Sequence, residues 1–199
     1  MTWIMTASGQ QMDMRFPRQG AVLAADIAHH LAQINRFNGA AARPYSVAEH
    51  SLLVLEIVER MFQLDVHGRL YALMHDAHEA YTQDVTSPAK AQIDGWHAFE
   101  AKHQRTVRSA FALHSAAFVH AEAVHQADLI ALATERAQLL PPGGPQWEVL
   151  QGVEPVGWID LMDRGRASLS WMDWRQAWLD HYEGLDHARN ATVFAVAQP

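Results

Sequence analysis

Residues 72–81 read Ala72-Leu73-Met74-His75-Asp76-Ala77-His78-Glu79-Ala80-Tyr81, and the spacing predicts a helix that starts at an Asp65 cap and reaches Tyr81. At about 100° per residue, with His75 at zero, Asp76 falls near 100° and Glu79 near 40°. Leu70, Leu73, Met74, Ala77 and Tyr81 fall between about 160° and 260°, and Ala72, near 60°, is the small residue beside the polar side. The helix therefore has one apolar face and one face carrying an imidazole and two carboxylates. A solvated face mixes in Lys, Arg or Gln. This one offers acceptors and a ring nitrogen, the donor set of a divalent cation.

Outward from this stretch the pattern stays helical. Ile27, Leu31 and Ile34 mark a helix over residues 24–35, broken by Arg36-Phe37-Asn38-Gly39. Ser46-Val47-Ala48-Glu49 is a capping box that opens a helix running to about Phe62. Ser87-Pro88 pairs an N-cap with Pro at the first helical position. Trp96, Phe99, His103, Val107 and Phe111 share a face, an alanine-rich helix covers about 116–140 until Pro141-Pro142 stops it, and Ser170 caps a last helix striped by Trp171, Trp174, Trp178 and Tyr182. Two short extended pieces, residues 3–6 and 11–14, flank a Ser8-Gly9 turn and allow a small N-terminal β-hairpin. The expectation is an all-α single domain over residues 1–199, with its core at about 24–140 and a Trp-rich helical extension at 158–183.

A helix with one polar face cannot complete a coordination shell alone. His50 shares a helix face with Val47, Leu53, Val54 and Ile57, and Asp128 lies on the long helix beside Val124, Ala131 and Leu132, a stripe read as otherwise uncharged. A buried carboxylate needs a cation, a metal or donors. His50, His75, Asp76 and Asp128 together supply two nitrogens and two oxygens, suiting Mn, Co, Fe, Ni or Zn. The plain structural readings stand beside this one: a hydrogen-bonded core histidine at His50, and an arginine-paired aspartate at Asp128.

Composition removes other classes. The chain has 199 residues, 49% of them hydrophobic, enough for a core. A net charge of −7, with Lys90 and Lys102 its only lysines, argues against a nucleic-acid polymer or an anionic membrane as partner. The absence of cysteine removes disulfides, thiolate metal sites and cysteine nucleophiles. With no apolar run of spanning length and no leader-like start, a cytoplasmic protein is expected.

The ordered set His50, His75-Asp76, Asp128 resembles the metal-binding signature of the HD-domain phosphohydrolase superfamily. The segment Tyr45-Ser46-Val47-Ala48-Glu49-His50-Ser51 and the run His75 to Val85, followed by Pro88 and Lys90, are similar to the HD-type 5′-deoxynucleotidases and to phage dATP triphosphohydrolases. Arg36-Phe37, fourteen residues before His50, matches an arginine–aromatic pair in those families. The resemblance spans about 24–140. It implies an HD-domain helical bundle in which His50, His75, Asp76 and Asp128 ligate one divalent transition metal ion, with additional Mg, Mn or Co accompanying a polyphosphate substrate. Glu79 is implied to orient or deprotonate the attacking water. Arg36 and Lys90 are implied to hold phosphate, Phe37 to lie against base or sugar, and Asp84 to contact the sugar or assist proton transfer. Plainer readings are that Arg36 caps the first helix, Phe37 is core and Lys90 is solvated. The spacing follows the one-metal branch, although His78, His97, His103, His114, His120 and His125 lie between the pair and Asp128.

The expected function is hydrolysis at the 5′-phosphate or phosphates of a (deoxy)nucleotide, by a 5′-deoxynucleotidase or a dNTP triphosphohydrolase, in a homo-oligomer. The alternative is an HD-fold sensor that binds a nucleotide without hydrolysing it. The retained Glu79 speaks against a sensor, which needs no water-activating carboxylate.

Overall fold

Strands β1 (Trp3–Met5) and β2 (Gln11–Asp13) pair antiparallel with Ile4 opposite Met12, the hairpin expected around Gly9, whose φ of 82° the turn requires. The computed structural model describes the backbone of residues 1–196 and the side chains of residues 1–191. The rest of the described chain is helical or loop. The Asp26 carboxylate anchors the hairpin on α1 (Ala24–Leu31) by accepting from the Ser8 N–H and the Ser8 hydroxyl, each at 2.7 Å. α1 ends four residues short of Asn35.

The caps at Ser46 and Asp65 fall where the sequence placed them. Ser46 Oγ accepts from the Glu49 N–H at 3.2 Å and opens α2 (Val47–Met61), and Asp65 Oδ1 accepts from the Gly68 N–H at 2.8 Å to open α3 (Val66–Leu73). The third helix departs from expectation. It stops at Leu73, and residues 74–78 form tight turns before α4 (Glu79–Thr82). The Ala72 carbonyl, which a continuing helix would pair with the Asp76 N–H, instead accepts from His75 Nδ1 at 2.8 Å. Bonds three residues apart, from Ala77 N to Met74 O and from Glu79 N to Asp76 O, keep the segment coiled but tighter than an α-helix.

A short α5 (Ser87–Lys90) carries Pro88 in its first turn, with Thr86 rather than Ser87 as its cap residue. α6 (Trp96–Ala110) buries His103 and Val107. The 26-residue α7 (His114–Leu139) runs along α2 and α3. A loop with Pro141-Pro142, a short α8 (Arg164–Ala167) and α9 (Trp171–Val196) complete the chain.

Buried residues form two clusters. One joins Ile27 and Leu31 of α1, Leu70 and Leu73 of α3, and Trp174, Trp178 and Leu185 of α9. The other joins Leu53, Val54 and Ile57 of α2 to Val124, Ala127 and Ala131 of α7. Trp178 is fully buried and stacks on Tyr182 with ring centres 5.7 Å apart, so Trp174, Trp178 and Tyr182 of the aromatic stripe serve the core while Trp171 stays exposed. Gly68 permits a close α3–α7 approach: a Cβ there would lie 2.9 Å from the His120 ring and 2.9 Å from Leu64 Cβ. Among the described residues no helix is long and apolar enough to cross a membrane.

Candidate metal centre

His50, His75 and Asp76 bring ligand atoms to within 4.8 Å of one another, and Asp128 approaches the two imidazoles, although the elements that carry these side chains differ. His50 sits one turn inside α2 and is fully buried. His75 and Asp76 come from the tight turns after α3, and Asp128 comes from the middle of α7. His50 Nε2 lies 3.3 Å from His75 Nε2, 3.6 Å from an Asp76 oxygen and 3.2 Å from an Asp128 oxygen. His75 Nε2 lies 3.1 Å from Asp76 and 3.8 Å from Asp128. Ligands at about 2.1 Å from one ion stand about 3.0 Å apart in an octahedral shell and about 3.4 Å apart in a tetrahedral one. The separations fall around those values.

The donor set fits a cation on a second ground. His50 Nδ1 meets Glu135 Oε1 at 2.6 Å, and His75 Nδ1 meets the Ala72 carbonyl at 2.8 Å. Both acceptors fix the proton on Nδ1 and turn the lone pair of each Nε2 toward the other and toward two carboxylates. Two imidazole lone pairs 3.3 Å apart repel unless a proton or a metal ion lies between them. Without metal, a proton takes that place. Burial and the Arg36 charge oppose a charged His50, but Glu135 and Asp128 outweigh them and raise its pKa to about 9. His75 is raised as well: burial opposes its charge, while Asp76 and Asp128 favour it. Burial works against ionised Asp76 and Asp128, yet the two imidazoles hold both carboxyls below their ordinary range.

The remaining nominated residues surround this centre in a pattern the sequence only partly foresaw. Arg36 does not cap α1. Its Nε and Nη2 donate to Glu135 Oε2 at 3.2 and 3.0 Å, and its Nη1 lies 3.9 Å from Asp84. Phe37 occupies a left-handed conformation (φ 56°), lies under the Arg36 guanidinium at 5.2 Å and faces Trp147 with ring centres 6.4 Å apart. It is also packed against the α2–α7 cluster, so its core reading holds in part. Lys90 is not solvated: its ammonium donates to Glu100 at 2.5 Å and stands 3.9 Å from Glu79. Glu79 is 3% exposed and its Oε2 has no hydrogen-bond partner among the described residues. Burial, then the nearby Asp76 and Asp84 charges, drive its pKa well above the carboxylate range. Burial raises Asp84 too, against the pull of Arg36.

A second group, His78, Glu79 and Glu100, is also close enough to hold a metal ion. Its cation is already supplied by Lys90, which with His78 lowers the Glu100 pKa to about 2 in spite of partial burial. A cleft of about 500 Å³ between the end of α7 and the following loop, lined by Arg136, Trp147 and Glu154, contains none of the nominated ligands.

The sequence reading missed Glu135. It lies seven residues, about two turns, after Asp128 on the stripe taken as otherwise uncharged, and that periodicity was the available signal. Glu49 was read as a helix-capping partner. Its backbone is capped, but its fully buried carboxylate binds Arg43 (2.6 and 2.8 Å) and Arg166 (2.7 Å). The other histidines take structural roles where partners are defined: His30 bridges the Ala80 carbonyl and the Ala7 N–H, and His120 meets Asp65.

The fold and its clusters define a helical protein with metal-binding capacity. No family model matches the chain. It is 36% identical over 153 residues to the uncharacterized protein YfdR of Escherichia coli strain K12, covering 77% of this chain and 81% of that protein. It is 42% identical over 94 residues to an uncharacterized protein of Rhodobacter capsulatus, covering 46% of this chain and 48% of that protein. The chain belongs to the family of YfdR.

Proposed function

We propose that the protein is a metal-dependent phosphohydrolase of the HD type that acts on the 5′-phosphate or phosphates of a (deoxy)nucleotide. The observation that carries this reading is the triangle of His50 Nε2, His75 Nε2 and an Asp76 oxygen, 3.1–3.6 Å apart, with an Asp128 oxygen 3.2 and 3.8 Å from the two imidazoles. A buried, unpartnered Glu79 oxygen and two cationic side chains, Arg36 and Lys90, flank this group. The four ligands would hold one divalent transition metal ion. Such an ion supplies Lewis acidity, polarising a phosphoryl oxygen and acidifying water.

The side chains divide the remaining work. Glu79, buried and with one carboxylate oxygen unpartnered among the described residues, takes a proton from the attacking water. Arg36 presents its Nη1 edge toward Asp84, and Lys90 exchanges part of its contact with Glu100 for a phosphate oxygen; both offset charge on the transferring group. The water oxygen bonds to phosphorus as the bond to the leaving oxygen breaks. The leaving 5′-oxygen takes a proton, which Asp84 is placed to deliver. Phe37 lies against the base or sugar.

Both product patterns follow this chemistry: a monophosphate gives nucleoside and phosphate, and a triphosphate gives nucleoside and tripolyphosphate. Chromatography of products from a panel of deoxynucleoside and ribonucleoside mono- and triphosphates, with Mn or Co added, tests the reading. Release of a nucleoside is expected. A chain with its metal shown to be bound that turns over no nucleotide refutes it, and tight nucleotide binding without turnover would identify a sensor.

A further inference from the structure

We infer that Glu135 is a positioning residue that sets both the ligating face of His50 and the substrate-facing edge of Arg36; this rests on the function proposed above. The carboxylate is fully buried on α7 and spends each oxygen on a different task. Oε1 accepts from His50 Nδ1 at 2.6 Å and from the Tyr45 hydroxyl at 2.9 Å. Oε2 accepts from Arg36 Nε and Nη2 at 3.2 and 3.0 Å.

The first contact decides chemistry at His50. A neutral imidazole has one protonated nitrogen and one lone pair. With Nδ1–H donated to Glu135, the lone pair resides on Nε2, which faces His75, Asp76 and Asp128. Reversing that tautomer would put an N–H into the centre and abolish ligation. A carboxylate behind a ligating histidine also raises the basicity of the ring, and losing such a partner commonly weakens metal binding about 10–100-fold. The second contact decides which edge of Arg36 is free. Glu135 occupies the Nε/Nη2 edge, so Nη1 points toward Asp84 and the centre. A simple structural ion pair between Arg36 and Glu135 requires no bond to His50. The shared carboxylate makes ligand orientation and phosphate-edge orientation properties of one side chain.

The test uses the full chain and Co(II) alone as probe, followed by its visible absorption. Glu135→Gln, nearly isosteric, should weaken Co(II) binding about 10–100-fold and weaken inorganic phosphate binding to the Co(II)-loaded chain, with far-ultraviolet circular dichroism unchanged. Tyr45→Phe removes another donor to the same carboxylate and should leave Co(II) affinity within about threefold, as expected of a single neutral hydrogen bond remote from the ion. Equal Co(II) affinity in wild type and Glu135→Gln overturns the inference, as does an equal loss in Tyr45→Phe. Wild-type chain that binds no Co(II) overturns the proposed function itself. Because Glu135→Gln removes a buried charge, nitrogen NMR of wild-type, histidine-labelled chain with Zn(II) provides a readout independent of the variant's folding. His50 should show a protonated Nδ1 and a metal-shifted Nε2, and ligation through Nδ1 overturns the inference.

Discussion

At the scale of single residues, Glu79 and the ligands make separable predictions. Glu79→Ala should lower turnover by about 10²–10⁴-fold, the usual range for loss of a general base, while bound metal measured by elemental analysis stays at the wild-type level. Asp128→Ala should lose the metal as well as turnover. The pH dependence of the metal-free chain follows from His50. Its folded pKa, about 9, lies above its ordinary value of 6.5. The associated stability is therefore fully present below 6.5 and disappears as pH rises through 9. Metal reverses the sign, because ligating imidazoles must give up the proton on Nε2. Thermal denaturation from pH 6.5 to 9 should show the metal-stripped chain losing stability and the loaded chain gaining on it; parallel curves would exclude His50 from the site.

Elements were legible where backbone chemistry is local. Ser46 and Asp65 accept from N–H groups three residues on, so the starts of α2 and α3 could be read directly. The end of α3 could not, because a tertiary demand, the His75 ring taking the Ala72 carbonyl, overrides a good helical pattern. The helical wheel thus put His75 and Asp76 side by side in a segment that is not a continuous α-helix, while Glu79 falls into the group with His78 and Glu100. Periodicity places Glu135 on the Asp128 stripe, but its role there, and the carboxylate partner of Lys90, were not legible for a related reason. Their meaning depends on contacts with residues far along the chain, which periodicity does not encode. The junction of α6 and α7 makes a prediction at this scale. Leu113 N–H bonds to the Arg108 carbonyl and Ala112, exposed, sits at φ 53°, the position where helix ends favour glycine. Ala112→Gly should therefore raise stability by about 1 kcal/mol, since the left-handed conformation costs an L-residue about that much. Chemical denaturation with an unchanged slope checks it.

Across the whole molecule, Glu49 fastens the C-terminal third to the centre. Its carboxylate binds Arg43 beside α2 and Arg166 of α8, while Arg43 also donates to the Leu161 carbonyl at 2.7 and 2.9 Å and Arg166 lies over Trp174. Glu49→Ala leaves two guanidinium groups facing each other without the carboxylate, and should cost about 3–5 kcal/mol, the range for breaking a buried pair. Equilibrium unfolding would show it, and a loss under about 1 kcal/mol, the worth of an exposed pair, would mean that solvent screens this network. The bundle also explains why the centre could be assembled from separate helices. α7 lies against both α2 and α3, so Asp128 is brought to His50 and His75 by the same packing that buries Val54 and Ala127.

That packing rests on a missing side chain. Gly68 lets α3 lie against the His120 ring of α7, two turns before Asp128. The jaws that hold the ion are thus hinged on a hydrogen atom. A methyl group at residue 68 would act as a wedge, prising the turn that carries His75 away from the helix that carries Asp128 and loosening the grip without altering any donor atom.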